Sequence, residues 1–340
     1  MIHNLALAGC GNVGTALLEI LNEKRAELSE RHGFNFRVTL ITDLMKGTVL
    51  EPEGLDLEKV LKDLKESNSL DSFPKAQGTF GELLERSRAT MMAEATPTNL
   101  KTGQPGLTHI RAALSRGIHV TTTNKGPVSV AFDELSTLAK SCGAKFRYEG
   151  VVMSGTPLLQ MLQCGMAGCA VQKIEGILNG TTNFILTKMN DNGSSYAEAL
   201  EEATSLGYAE ADPSGDVEGW DAAGKVSILA KVIFGKNIPV SEIDRQGITC
   251  ITPEKIKEAN ENGYAIKLIA GLSMLNGIPW AYVTPKEIPL SHPLASIKGA
   301  TNAVSITTDN LGEVTLIGPG AGRRETGQAL LVDLIAMCKD

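Results

Sequence analysis

No run of about 18 apolar residues, the length a membrane-spanning helix needs, occurs anywhere in the chain. No basic leader with an apolar core precedes the first strand-like segment, so a cytoplasmic protein is expected. Positive charge is not in surplus: 32 Lys and Arg face 39 Asp and Glu, a net charge of −7. That balance disfavours nucleic acid and anionic membrane as partners. Cysteines are few, and the six (Cys10, Cys142, Cys164, Cys169, Cys250, Cys338) never fall in a C-x-x-C spacing. Reduced thiols are therefore expected, and a zinc site is not. Aromatic residues are scarce at 4%, and there is no internal repeat or low-complexity tract. What remains, 42% hydrophobic and 21% charged residues over 340 positions, suits a globular protein too long for one core.

The N-terminal half reads as alternating strands and helices. An apolar strand, Ile2–Ala8, runs into Gly9-Cys-Gly11-Asn-Val-Gly14 and a helix from Thr15 to about Arg31. A strand before G-x-G-x-x-G and a helix after it make the pattern a dinucleotide fingerprint rather than an isolated motif. Gly9 allows the tight turn, Gly11 lets a pyrophosphate approach the backbone, and Gly14 lets helix and strand pack closely. The N–H groups of the helix start, through Asn12 and Val13, are free for the phosphates. The second strand, Arg37–Thr42, ends in Asp43, where an acid suits a ribose 2′-hydroxyl. Lys46 and Lys59 lie near enough in sequence to leave NADP open beside NAD. Residues 44–87 are charged and loop-rich apart from a helix over Leu57–Lys65. Strands Ala89–Ala95 and Ile118–Thr123 end in Thr96-Pro97 and Asn124-Lys125, with a helix Leu107–Arg116 between them. A helix Phe132–Cys142 and a strand Lys145–Glu149 follow. The expected fold is a Rossmann-type doubly wound parallel sheet over residues 1–149, with ligands at the C-terminal ends of its strands.

From residue 150 to 317 the pattern implies a second, α+β domain with a mixed or antiparallel sheet covered by helices. Strand Val171–Leu178 leads into Asn179-Gly-Thr-Thr-Asn183 and a helix beginning at Phe184. Helix Tyr196–Ser205 precedes five carboxylates, Glu210, Asp212, Asp216, Glu218 and Asp221, then Lys225 and an apolar helix to Phe234. A helix Pro253–Asn262 comes next. Hairpins are expected at Asn276-Gly277 and around Asp309–Gly312. The glycine-rich turn Gly318-Pro-Gly-Ala-Gly322 and the helix after it, within 318–340, are expected to return to the first domain. On a period of about 3.6 residues, Lys225 shares the arc of Ala222, Ile228, Leu229 and Val232, whereas Lys231 lies opposite and should be solvated. Asp221 stands one turn before Lys225. Such a pair is either an ordinary helix-face ion pair of ~0.3–0.5 kcal/mol or a lysine whose proton affinity is tuned by burial and a carboxylate.

Several segments, in this order, resemble the homoserine dehydrogenase family over essentially the whole chain. They are Gly9–Gly14, Ala95-Thr-Pro-Thr-Asn99 with Gly103-Gln-Pro-Gly106, Asn124-Lys-Gly-Pro127, and Ile177-Leu-Asn-Gly-Thr-Thr-Asn183. Leu206-Gly-Tyr-Ala-Glu-Ala-Asp-Pro213, Asp221-Ala-Ala-Gly-Lys225 and Gly318–Gly322 complete the set. The resemblance implies NAD(P)-dependent interconversion of L-homoserine and L-aspartate 4-semialdehyde, on the route to threonine, methionine and isoleucine. It implies Lys225 as acid/base at the reacting oxygen and Asp221, Asp216, Glu210 and Thr182 around the substrate. Lys125 would lie beside nicotinamide and substrate, while Thr96, Pro97, Gly207 and Gly322 line the cofactor. It also implies a homodimer and a monovalent cation, Na+, at Glu149, Val152, Ser154 and Thr156, although Met153, Ser154 and Thr156 replace the glycine-rich sequence common there. A C-terminal ACT-type regulatory domain is not expected, nor threonine feedback through one. Two alternatives stand beside this reading. A dinucleotide sensor without chemistry would have no use for Lys225 and Asp221. An aspartate-semialdehyde dehydrogenase would need a nucleophilic cysteine with a histidine partner, and no cysteine sits at a strand-to-helix turn in the second domain with one.

Overall fold

A computed structural model describes residues 1–339 except Asn276, together with the backbone but not the side chain of Leu275. The chain forms two compact units, Met1–Pro157 with Gly322–Asp340, and Leu158–Ala321. The sequence division at 149/150 and 317/318 thus differs at residues 150–157 and 318–321. Residues 150–157 stay with the first unit because they pack under the C-terminal helix: a Cβ on Gly155 would meet Glu325 O at 2.3 Å.

In the first unit, strands β1 (Ile2–Ala8), β2 (Asn35–Asp43), β3 (Gly47–Leu50), β4 (Met91–Glu94), β5 (His119–Thr122) and β6 (Phe146–Arg147) form one sheet in the order β3-β2-β1-β4-β5-β6. All neighbours are parallel except β2 and β3. Strand β3 falls in the stretch read as loop. Asp43 makes it possible, because its carboxylate accepts the N–H groups of Met45 and Lys46 and folds the chain straight back on β2. Helices α1 (Asn12–Glu23), α2 (Arg25–His32), α3 (Leu57–Glu66), α4 (Phe80–Ser87), α5 (Gly106–Leu114), α6 (Lys125–Ser141) and α7 (Gly150–Met153) connect the strands. The long first helix expected to run to Arg31 breaks at Lys24, just past the last residue of its apolar stripe, Leu21. Helix α6 starts seven residues before the expected Phe132, because the Asn124 side chain caps the Gly126 N–H and Pro127 fits the first turn. Alternation along β1 sends Leu5 and Leu7 to one face, with Leu17, Leu18 and Leu21 of α1, and Ala6 and Ala8 to the other, with Ile110 and Leu114 of α5. The C-terminal helix, Arg323–Lys339, adds Leu330, Leu331 and Leu334 to the first face. It approaches α1 so closely that a Cβ on Gly327 would lie 3.0 Å from Leu17 N.

The second unit begins with α8 (Leu158–Gln160), continued by one wide turn to Gly165. Its sheet comprises β7 (Val171–Ile177), β8 (Asp244–Arg245), β9 (Tyr264–Leu275), β10 (Ile278–Pro289), β11 (Thr301–Thr308) and β12 (Gly312–Pro319), in the order β12-β11-β7-β9-β10-β8. Every pairing is antiparallel except the short β8–β10 edge, as the mixed sheet expected from the sequence requires. Strands β9 and β10 pair with Ile278 opposite Leu275; Asn276 of the expected turn lies outside the described residues. Helices α9 (Gly180–Asn192), α10 (Tyr196–Ser205), α11 (Ser214–Val217), α12 (Trp220–Phe234) and α13 (Pro253–Glu261) complete the unit. Of these, α9, α12 and α13 pack on the sheet. Helix α9 starts four residues before the expected Phe184, since Asn179 caps the Thr182 N–H at 2.9 Å. Lys231, expected to be solvated, is half-buried on α12.

A second lysine is interior. Lys267 on β9 is 4% exposed, donates to Ile297 O, and lies 3.2 Å from Asn183 Oδ1. Burial lowers its pKa to about 8, partly opposed by the Asp191 carboxylate, with Lys298 lowering it further. The unfolded chain, with a lysine pKa of about 10.4, therefore holds the proton after the folded chain has released it. Stability is expected to rise with pH between those two values, by roughly 3 kcal/mol from this group. Thermal unfolding across that window should show the rise in the parent and a flatter curve in Lys267→Met. Parallel curves for the two proteins would refute the assignment.

Candidate active site

The C-terminal edge of the first unit's sheet carries the glycine turn. Gly9 has φ +89°, and a Cβ there would lie 2.5 Å from Ala95 O. A Cβ on Gly14 would lie 2.1 Å from Gly9 O, so α1 rests directly on the turn. Gly11 differs: its missing side chain would meet nothing within 4 Å, and no side chain caps α1. Asn12 is exposed beside it and Val13 half-buried. Open space in front of uncapped N–H groups fits a pyrophosphate. Asp43 braces the same turn. One carboxylate oxygen accepts Cys10 N–H at 2.8 Å while the other accepts Met45 and Lys46. Burial pushes this carboxyl up, but the three backbone bonds and Lys46 outweigh it and hold the pKa below the ordinary value. Asp43 is thus ionised at neutral pH and already engaged with backbone.

Thr96 and Pro97 follow β4, and Asn124 and Lys125 follow β5. Asn124 Nδ2 donates to Thr96 O at 3.2 Å, tying the two turns together. Below them sits Glu94, a buried carboxylate that sequence reasoning missed, because the short apolar strand Met91–Glu94 gives no sign that its last residue points inward. Gly322, with φ +134°, opens the C-terminal helix, and its O accepts Thr326 N–H at 3.0 Å. Glu149 is buried, and its N–H donates to Asp333 Oδ2 at 2.9 Å. Val152 is buried in α7. The Ser154 hydroxyl pairs with Thr326 at 2.7 Å, and Thr156 N–H donates to Met153 O. Among the described residues, no group of three or more His, Cys, Asp or Glu is placed to hold a metal.

In the second unit, the start of α12 meets the start of α9. The Lys225 amine, on a residue 6% exposed, donates to Leu178 O at 2.6 Å and to Asp221 Oδ2 at 2.7 Å. The Asn179 amide donates to the same Asp221 oxygen at 3.0 Å and to Asp216 Oδ1 at 2.7 Å. Its own Oδ1 accepts Thr182 N–H at 2.9 Å and the Thr182 hydroxyl at 3.0 Å. One amide thus joins two carboxylates that would otherwise repel, and one carboxylate holds the ammonium. Thr182 is buried and turned toward Asn179. Of the other acids, Asp212 caps Ser214 N–H, Glu218 accepts from the Trp220 indole, and Glu210 is exposed on the connecting loop. Gly207 has φ +76° just beyond α10. The structure therefore gathers Asp216, Asp221 and Lys225, and leaves Glu210 outside that hydrogen-bonded group.

A glycine turn under an uncapped helix at the C-terminal edge of a parallel sheet marks the first unit as a dinucleotide-binding fold, and the second unit holds a buried lysine–carboxylate pair of the kind acid–base chemistry uses. Comparison with known proteins agrees. Residues 9–149 match the family model for the NAD binding domain of homoserine dehydrogenase, and residues 157–335 match the model for homoserine dehydrogenase. The NAD(+)-dependent homoserine dehydrogenase of Pseudomonas canavaninivorans is 41% identical, over 98% of this chain and 95% of that protein. The homoserine dehydrogenase of Methanocaldococcus jannaschii is 37% identical over 98% and 97%. A crystal structure of a putative homoserine dehydrogenase from Archaeoglobus fulgidus superposes with a TM-score of 0.88 at 36% identity, covering 99% of each chain. A hyperthermophilic archaeal homoserine dehydrogenase in complex with NADPH gives 0.83 at 32% identity, covering 99% of this chain and 98% of that one. The chain belongs to the homoserine dehydrogenase family, NAD(P)-dependent enzymes that interconvert L-homoserine and L-aspartate 4-semialdehyde in threonine, methionine and isoleucine biosynthesis.

Proposed function

We propose that Lys225 is the acid/base of this reaction, and the observation that carries the proposal is its buried amine held between Asp221 and Leu178 O. A bound nicotinamide dinucleotide would supply hydride exchange with the alcohol carbon of homoserine. The hydroxyl proton must leave as the hydride does, and Lys225 receives it when its amine is neutral. In reduction the ammonium stabilises the growing alkoxide and supplies the proton. Asp216 and Asp221, joined through Asn179, present negative charge to the substrate ammonium, with Glu210 and Thr182 completing its surroundings. Lys125, Thr96 and Pro97 serve the nicotinamide half of the cofactor, and Gly207 and Gly322 its borders. Gly9, Gly11, Asn12, Val13 and Gly14 receive the pyrophosphate.

The ionised Asp43 disfavours a 2′-phosphate, which supports NAD as the preferred nucleotide, in keeping with the Pseudomonas relative's name. Exposed Ile278 and Trp280, on one face of β10, support a homodimer. Among the described residues no helix is long and apolar enough to cross a membrane, and the reading places the protein in the cytoplasm. A monovalent cation, Na+, would be held by the turn of Glu149, Val152, Ser154 and Thr156. The test is a coupled pair of measurements with homoserine and each nucleotide: binding, and the absorbance of reduced nicotinamide. Growth of that absorbance, faster with NAD, is expected. Bound nucleotide with no absorbance change under any condition would leave a sensor and sink the enzyme assignment.

A further inference from the structure

Glu94 ends β4 at the sheet edge where an open parallel sheet takes its ligands. Its side chain is fully buried, and among the described residues no cation pairs with it. A buried acid without a partner ion is costly unless donors converge on it. Here they do. Oε1 accepts Thr96 N–H at 2.8 Å and also the Thr96 hydroxyl, and Oε2 accepts the Thr122 hydroxyl at 2.6 Å. The Asn124 amide also favours the ionised form, but burial outweighs these donors and leaves the carboxyl's pKa raised. Gly106, at the start of α5, closes the fourth side: a Cβ there would lie 2.7 Å from Asn124 Nδ2 and 3.0 Å from Glu94 Oε1. The donors come from the two turns that end neighbouring strands, and a carboxyl, with two oxygens, engages them together.

We propose that Glu94 is a positioning residue for the nicotinamide half of the cofactor, acting by fixing the turns Thr96-Pro97 and Asn124-Lys125 relative to each other. This rests on the reading above that those turns receive nicotinamide. The glycine turn that would take the pyrophosphate packs on the Ala95–Thr96 backbone but carries a brace of its own, Asp43 on Cys10 N–H. Loss of Glu94 should therefore be felt more by the ring than by the phosphates. A core acid serving stability alone would not discriminate between them.

The experiment compares NADH with ADP-ribose, which lacks the nicotinamide, in the parent chain, Glu94→Ala and Glu94→Gln. Affinities come from calorimetry and the ring's environment from the emission of bound NADH. The expected result is an affinity for NADH that falls about tenfold, the worth of a buried hydrogen bond whose partner is left unsatisfied, with ADP-ribose affinity kept and bound emission moving toward that of free NADH. Glu94→Gln, which retains the shape but must donate where the carboxylate accepts, should show the same change in smaller measure. It carries the comparison if the alanine variant fails to fold. Equal losses for both ligands, or no loss for either, would overturn the role of Glu94. A parent chain that binds ADP-ribose and NADH with identical affinity and leaves NADH emission unchanged would instead overturn the nicotinamide reading itself.

Discussion

Lys225→Ala is expected to lower turnover in both directions by ~10²–10⁴, the usual worth of a placed general acid or base, while the affinity for dinucleotide stays within about twofold of the parent. The reasoning is local. The amine is the one group in its cluster that can exchange a proton with an alcohol oxygen and be cationic when that oxygen becomes negative, since Asp216 and Asp221 accept hydrogen bonds and Asn179 is neutral. Its removal also leaves Leu178 O and the Asp221 carboxylate short of a donor, so a fall in stability of about 1–3 kcal/mol accompanies it. Unfolding midpoints must be measured beside the kinetics to separate the two. Lys225→Arg makes the sharper comparison. It keeps the charge, but guanidinium does not release its proton in proteins, so alcohol oxidation should remain crippled even where stability is recovered. An alanine variant that turns over at close to the parent rate would remove Lys225 from the chemistry, whatever its burial.

The sequence made the two ends of the reaction legible for different reasons. The glycine turn is a backbone device, and backbone devices leave their mark as fixed spacings: Gly9, Gly11 and Gly14 each answer a different steric demand, and the structure shows each demand separately. The buried face of α12 was legible because a period near 3.6 places Lys225 among alanine, isoleucine and leucine. Side-chain networks that join distant segments left no such mark. Glu94 reaches Thr122, and Asn179 reaches Asp216 and Asp221, through contacts 28, 37 and 42 residues apart. Nothing in local pattern distinguishes these from an ordinary strand end and an ordinary cap. The missed α4 is a different failure. Thr79-Phe-Gly-Glu82 forms a capping box seen in the structure, a signal that was present in the chain and passed over in a stretch dismissed for its charge. The five carboxylates of 210–221 cluster in composition, while among the described residues hydrogen bonds through Asn179 join Asp216 and Asp221.

Asn179 supplies the second large effect. Substituting aspartate keeps the helix cap, since Asp and Asn cap equally well, but it replaces the donor between Asp216 and Asp221 with a third negative group. Two charge-assisted hydrogen bonds are lost, so kcat/KM for homoserine is expected to fall about 10²-fold or more. Crowding of three carboxylates raises the pKa of at least one of them. Once that group is protonated it can donate again, so the activity of Asn179→Asp relative to the parent, measured at matched pH in the reductive direction, should recover as pH falls. Asn179→Ala has no proton to regain. It should lose both bridge and cap, with the cap costing about 1 kcal/mol of stability, and its deficit should not depend on pH. Measuring the two variants together discriminates the bridge from the cap. If Asn179→Asp matches the parent at every pH while Asn179→Ala is merely less stable, the amide only caps α9, and the two carboxylates hold their places without it.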